Sequence, residues 1–329
     1  KSDFNNIGSA AILMDVKNGE ILSLVSLPDY DLNRRVSIND KSYTNKITLG
    51  VYEFGSVFKT FTIAAGLENE VIKKNTIFKD LKNKIACDKY TITEHDELPK
   101  NLSVEQILVR SSNIGSVRIA QRVGVENYKG FLNTLGLLDK IKFDLEEVGS
   151  PLSFRWGKCK LATTSYGHGI TTTPLQLARA YAILGNGGYQ IKPYISKIKK
   201  EFENKKEQIV SHKTSDEINS MLRKVVSMNE GTANFADIQG YEVAGKTGTA
   251  LKYNSNAKLN TFVSLFPASR PRYVLLVMLD EPKSAPNFVY QFPPSEKFPN
   301  GYKHKGETRN TSGWNAVVVA GKIIEKIGP

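Results

Sequence analysis

The chain has 329 residues, 40% of them hydrophobic and 24% charged, with a formal net charge of +12. That length can bury a large core in one or two domains. The lysines are scattered and no basic-aromatic module accompanies them, which argues against a nucleic-acid partner; a solvated surface is expected, with attraction to anionic lipid headgroups or a polyanionic wall as the alternative.

The elements fall in a simple order. Gly8 to Val16 and Glu20 to Ser26 alternate around Lys17-Asn18-Gly19, and the Asn-Gly pair predicts a two-residue or similarly tight hairpin. After Gly55 the chain reads Ser-Val-Phe-Lys-Thr-Phe-Thr-Ile-Ala-Ala-Gly-Leu-Glu. Apolar residues occupy nearly every side of that helical wheel, so a core helix beginning at Ser56 is predicted. Ser103-Val-Glu-Gln106 is a capping box opening a helix to about Arg110, and Ile114 starts a second apolar-periodic stretch to Gly124. Residues from roughly 57 to 230 are mainly helical by pattern. Three further strands follow at Val243 to Leu251, Thr261 to Phe266 and Tyr273 to Asp280. Residues 283–310, rich in Pro, Asn and Lys, predict a long loop that borders a cleft or is disordered. An amphipathic helix from about Gly313 to Ile327 closes the chain. The fold class is therefore α+β: a five-stranded antiparallel sheet covered by helices, with strands from both ends of the chain. The expected division is a sheet subdomain from about 1–56 and 236–329 and a mainly helical subdomain from about 57–235, with a cleft between.

Three motifs carry chemistry: Ser56-Val-Phe-Lys59, Ser111-Ser-Asn113 and Lys246-Thr-Gly-Thr249. Residues three apart share a helix face, so the Lys59 amine can stack over the Ser56 hydroxyl. A lysine in the first turn of a buried helix faces the positive end of the dipole and loses hydration, two penalties that favour the neutral form a general base needs. Lys246 is the candidate second cation that would press Lys59 down further. Ser111 lies at a helix junction, where its hydroxyl can relay a proton, and the Asn113 amide can hold a substrate amide by donor and acceptor at once. Lys246, Thr247, Gly248 and Thr249 lie on a strand whose glycines permit close backbone approach. A peptide can add along that edge, with the Lys246 ammonium and the two threonine hydroxyls receiving a terminal carboxylate. Backbone N–H groups of Ser56 and Thr249 are the candidate oxyanion hole. The other Ser-x-x-Lys matches, Ser196 to Lys199 and Ser255 to Lys258, fall in polar stretches without a helical apolar face. Cys87 and Cys159 are too few for a disulfide framework and lie on no metal-ligand spacing. The histidines His95, His168, His212 and His304 form no motif, so neither a metal nor a cofactor is expected; His168, within Gly-His-Gly, shapes a turn near the site.

Read together, the motifs resemble those of the transpeptidase domain of class B penicillin-binding proteins, most of all the septal, cell-division type. The phrases that carry the resemblance are Tyr52-Glu-Phe-Gly-Ser-Val-Phe-Lys59, Arg110-Ser-Ser-Asn-Ile-Gly115, Tyr166-Gly-His-Gly-Ile170 with Thr173-Pro-Leu-Gln-Leu177, Val243-Ala-Gly-Lys-Thr-Gly-Thr-Ala250, and Gly313-Trp-Asn-Ala with Ala320-Gly-Lys-Ile-Ile324. They span nearly the whole chain. The resemblance implies a penicillin-binding protein and serine β-lactamase-like fold and a D,D-transpeptidase. Ser56 would attack the penultimate carbonyl of peptidoglycan stem peptides ending in D-Ala-D-Ala, and an amine on a neighbouring stem would take the acyl group. It also implies acylation of Ser56 by β-lactam antibiotics, and a glycosyltransferase and other division proteins as partners of the full-length protein. That protein would be anchored at the outer, periplasmic face of the cytoplasmic membrane, through an N-terminal anchor and pedestal absent from this chain. The longest apolar run here, Tyr273 to Leu279, is too short to span a bilayer, and no signal sequence is recognisable. A β-lactamase or β-lactam sensor would share the motifs; a lactamase needs a base for water, and Glu146 and Glu147 lack the Leu-Asn that the class A pattern leads one to expect after such a glutamate. A catalytically silent division-complex scaffold is the remaining alternative, and the intact motifs argue against it.

Overall fold

The structure, a computed structural model, describes residues 3–31, 33–35, 37, 40–88, 90–195, 207–292, 294 and 299–327. Two strands open the chain, β1 (Gly8–Asp15) and β2 (Ile21–Leu27), paired antiparallel. The connection is longer than a two-residue turn. Asp15 N–H bonds the Glu20 carbonyl across Val16 to Gly19, Gly19 takes the left-handed conformation at φ 82°, and its N–H closes back on the Asp15 carbonyl. The Asn-Gly pair marks this turn correctly, but the Met14–Ile21 pairing shifts register and adds residues to it.

A 3₁₀ turn over Gly55–Phe58 leads into α1 (Lys59–Glu68), whose residues Lys59 to Leu67 are all buried. The helix therefore starts three residues later than its apolar pattern predicts, with Ser56 in the tighter turn before it. The stretch up to residue 230 is helical but not exclusively so. It contains β3 (Ile77–Phe78), β4 (Lys84–Cys87), β5 (Tyr90–Thr93) and β6 (Leu102–Ser103), which pair as β3 with β6 and β4 with β5. Then come α2 (Val104–Val109), with both arms of its capping box formed, α3 (Asn113–Val123), α4 (Val125–Thr134) and α5 (Lys158–Thr164). Next is α6 (Pro174–Gly185), capped by Thr173 and buried along its whole length, and α7 (His212–Ser227). Ser196 and Lys199 lie outside the described residues, while Ser255 is exposed in a turn.

The remaining strands are β7 (Ala244–Leu251), β8 (Lys258–Phe266) and β9 (Tyr273–Asp280). They complete a five-stranded antiparallel sheet in the order β2-β1-β9-β8-β7. Strand β9 is buried from Val274 to Asp280 without alternation, so both faces of the sheet are covered. The segment 283–310 is not simply a loop. It contains β10 (Val289–Phe292) and β11 (Tyr302–Lys305), a hairpin whose Tyr290 and Phe292 pack on Trp314 and Phe235. Trp314 belongs to a 3₁₀ turn, and α8 (Ala316–Ile327) follows it to pack on β8 and β9, while α6 packs on β1, β8 and β9. Among the described residues no helix is long and apolar enough to cross a membrane.

Cys87 and Cys159 form a disulfide that ties the β4–β5 hairpin to the start of α5, across 72 residues of sequence. Closing a loop of that size restrains the unfolded chain, so Cys87→Ser or Cys159→Ser should cost about 2–4 kcal/mol. Chemical denaturation checks this: the variants should lose stability relative to oxidised wild type and match wild type in reductant.

Candidate active site

Backbone contacts with no room for a side chain fix the Ser56 turn. A Cβ on Gly55, which holds φ 57°, would lie 2.7 Å from the Thr249 carbonyl oxygen, and one on Gly248 would lie 2.2 Å from that of Phe54. A Cβ on Gly167, at φ 83°, would lie 1.9 Å from the Gly55 oxygen. Glycine is thus required where the serine turn, the edge strand β7 and the Tyr166-Gly-His-Gly loop touch. Below the turn, the Tyr181 hydroxyl donates to the Val57 carbonyl at 2.8 Å and is 2.8 Å from the Thr60 hydroxyl. His168 faces Glu53 at 3.4 Å, so the Gly-His-Gly turn does lie beside the Ser56 turn, and the Glu53 carboxylate raises the imidazole pKa.

Ser111 lies between α2 and α3 with φ 59°, a left-handed conformation that an L-residue adopts at a cost of about 1–2 kcal/mol. That backbone turns its carbonyl and hydroxyl toward the core. The Lys59 amine donates to the Ser111 carbonyl and, at 3.0 Å, to its hydroxyl oxygen; the Lys246 amine donates to the same hydroxyl at 2.9 Å. One hydroxyl therefore lies between two lysine nitrogens on elements far apart in sequence. Ser56 makes no hydrogen bond through its side chain with a described residue, so the structure joins Lys59 to Ser111 rather than to Ser56.

Both lysines are fully buried. Loss of hydration lowers the Lys59 pKa from 10.5 to about 7, with the Glu94 carboxylate opposing the shift. Burial also pushes Lys246 well below its ordinary value, and Lys59 adds to the effect. Burial, rather than a neighbouring cation, is the first cause of the shift at each lysine. Two amines sharing one hydroxyl in a dry site cannot both hold protons cheaply, and burial acts first on each.

The substrate-side candidates divide. Thr247 Oγ1 lies 2.7 Å from Thr232 Oγ1 and 3.4 Å from the Lys246 amine, making a polar group at the outer edge of the sheet. Thr249 Oγ1 accepts from the Ser312 N–H at 3.1 Å. Asn113 is only half available: its Nδ2 donates to the Thr93 carbonyl at 2.8 Å, while its Oδ1 has no partner among the described residues. Ser112 caps α3, accepting from the Gly115 N–H at 2.9 Å. Glu146 and Glu147 are exposed in the segment between α4 and α5. Among the described residues no cluster of metal-ligating side chains occurs. Sequence reasoning missed Glu94, Thr232 and Ser312. None lies in a motif, and only the Tyr90-Thr-Ile-Thr alternation before Glu94 hinted at the strand that delivers it.

An antiparallel sheet with β7 at its edge, set against the Ser56 turn and a buried lysine–serine–lysine cluster, defines an α+β frame in which all three motifs meet. Residues 9–291 match the family model described as the penicillin binding protein transpeptidase domain. The chain belongs to that family. It is 33% identical to a protein of Caulobacter vibrioides named probable peptidoglycan D,D-transpeptidase FtsI, over 99% of this chain and 54% of that one. It is also 33% identical to stage V sporulation protein D of Bacillus subtilis, over 85% of this chain and 46% of the relative. The chain thus spans about half the length of these curated relatives. Among solved structures, the apo transpeptidase domain of Burkholderia pseudomallei penicillin-binding protein 3 superposes with TM-score 0.80 and 26% identity, over 100% of this chain and 91% of that one. Penicillin binding protein 3 of Mycobacterium tuberculosis, complexed with aztreonam, gives 0.79 and 25%, over 100% of this chain and 76% of that one.

Proposed function

We propose that this chain is the catalytic domain of a peptidoglycan D,D-transpeptidase of the septal type. The observation that carries the reading is the Ser111 hydroxyl held between the Lys59 and Lys246 amines. Ser56 attacks the penultimate D-Ala carbonyl of a stem peptide ending in D-Ala-D-Ala, and its proton passes to neutral Lys59. Backbone N–H groups of Ser56 and Thr249 receive the oxyanion. As the tetrahedral adduct collapses, the leaving D-Ala amine takes a proton relayed from Lys59 through Ser111. An amine of a neighbouring stem then attacks the ester and gives up a proton, which passes back through Ser111 to Lys59 and on to the departing Ser56 oxygen, so that Ser56 leaves as a hydroxyl and Lys59 is again neutral.

Along Lys246, Thr247, Gly248 and Thr249 the donor peptide adds as an extra strand, its carboxylate beside Lys246 and Thr247. Arrival of that carboxylate favours protonation of Lys246, which in turn disfavours protonation of Lys59. Binding thereby readies the base. The Asn113 Oδ1 receives a substrate N–H. The full-length protein works at the outer face of the cytoplasmic membrane with a glycosyltransferase and other division proteins, and the Cys87–Cys159 disulfide fits an oxidising compartment.

Penicillin should add one covalent equivalent by intact-mass spectrometry, mapped by digestion to Ser56 and lost in Ser56→Ala. The adduct should survive for minutes or longer, and nitrocefin should give a stoichiometric burst with little turnover. A label at Ser196 or Ser255 refutes the site. Sustained hydrolysis lost in Glu146→Gln or Glu147→Gln makes the protein a lactamase.

A further inference from the structure

The backbone at Ser111 is strained, and something must hold it. Its neighbour on one side, α2, ends at Val109 with Arg110 as its C-cap, and α3 begins only at Asn113, so the turn between has no regular element of its own. Glu94, at the end of strand β5, reaches across to it. One carboxylate oxygen accepts from the Ser112 hydroxyl at 2.6 Å and the Ile114 N–H at 3.0 Å; the other accepts from the Asn113 N–H at 2.7 Å. Three charge-assisted bonds at a helix start make a far stronger cap than the Ser112 hydroxyl alone. The preceding residue is engaged as well, since the Thr93 carbonyl accepts from Asn113 Nδ2. The hairpin bearing both residues is anchored at its other end by the Cys87–Cys159 disulfide.

We propose that Glu94 is a positioning residue for the acyl-transfer reaction, holding the Ser111 turn in its left-handed form and setting the charge balance of the lysine pair from behind. The inference rests on the proposed acyl-transfer function. The charged groups around it are Lys59 from α1, Lys246 from β7 beyond it, His95 and Asp96 on its own loop, and Lys258 from β8, which acts on His95. The Glu94 carboxylate favours the protonated form of Lys59. Burial first and Lys59 second hold His95 below the usual imidazole range, so it stays neutral where Lys59 titrates.

The test is the pH profile of Ser56 acylation by a fluorescent penicillin, from pH 5 to 9, in wild type, Glu94→Gln and Glu94→Asp. Glutamine loses the charge but keeps an accepting oxygen. Its acid limb should move to lower pH, so that the rate at pH 6 gains about threefold relative to its own plateau. Aspartate keeps the charge but falls short of the turn. Its limb should stay where the wild-type limb lies, while its plateau drops about tenfold or more as Ser111 loses its place. A purely structural cap would leave the limb in place in both variants. A glutamine variant with the wild-type limb overturns the proposal, as does an aspartate variant with the wild-type plateau. Wild-type protein that takes no label at all refutes the acyl-transfer reading itself.

Discussion

Lys59→Arg should lose β-lactam acylation by a factor of about 10²–10⁴ while keeping the fold, because a guanidinium cannot give up its proton to serve as a base. The substitution isolates basicity from charge. Lys59 reaches the Ser111 carbonyl and hydroxyl from the first turn of α1, and burial brings its pKa to about 7. In wild type the acylation rate should therefore climb about tenfold between pH 6 and pH 8 as the neutral amine accumulates. The arginine variant should show no such rise. Stopped-flow acylation across that range is the measurement, and a near-normal rate at pH 7 would show Lys59 to be structural.

The same side chain should have the opposite effect on stability. Keeping an amine neutral at pH 7 that would hold its proton in the unfolded chain costs about 4 kcal/mol, given a fall from 10.5 to about 7 in a fully buried group. Methionine fills similar volume without that cost, but removing the donor leaves the Ser111 carbonyl short of a partner, worth about 1–3 kcal/mol. Lys59→Met should therefore be inactive yet more stable by about 1–3 kcal/mol at pH 7. The sign with pH follows from linkage. Between the folded and unfolded values the unfolded state binds more protons, so wild-type stability rises with pH there and the advantage of methionine shrinks. It is full below pH 7 and fades toward pH 10.5. Urea titrations at pH 6.5 and 9.5 compare the two; equal stability at pH 6.5 would mean that the lysine is not paying a burial cost.

What could be read from the sequence was local or continuous. Tyr273–Asp280 is a strand between the predicted residues because an uninterrupted apolar run, buried on both faces, has no competing pattern. The Ser103–Gln106 box predicts a helix start that the structure contains, since both partners lie within one turn. Long-range dependence hides the rest. The Lys84–Cys87 and Tyr90–Thr93 hairpin is short and polar, and its anchors, Cys159 and Asn113, lie far along the chain. Prolines and lysines mask the Val289–Phe292 strand, which forms because Tyr290 and Phe292 find Trp314 and Phe235. At the site, the motifs singled out side chains that the structure brings together, but the pairing of Lys59 and Lys246 on one hydroxyl, and the carboxylate behind it, depend on three-dimensional proximity that no spacing encodes.

Strand β1 lies inside the sheet, with Gly8 opposite Asp280, so the first strand of the chain finds its second neighbour only near the end. A ribosome delivers these segments in the wrong order for early closure. Until β9 emerges, the β1–β2 ribbon carries an open, apolar edge, which invites pairing with other chains and calls for a holding factor. High contact order also slows the search once synthesis ends. Lys246 lies on β7, the edge strand paired with β8, while Lys59 and Ser111 lie in the helical region earlier in the chain, so the Ser111 hydroxyl draws its two lysine partners from segments far apart in sequence. The two-lysine cluster is thereby contingent on synthesis beyond β7: a shorter nascent chain can hold Lys59 at Ser111 but not Lys246.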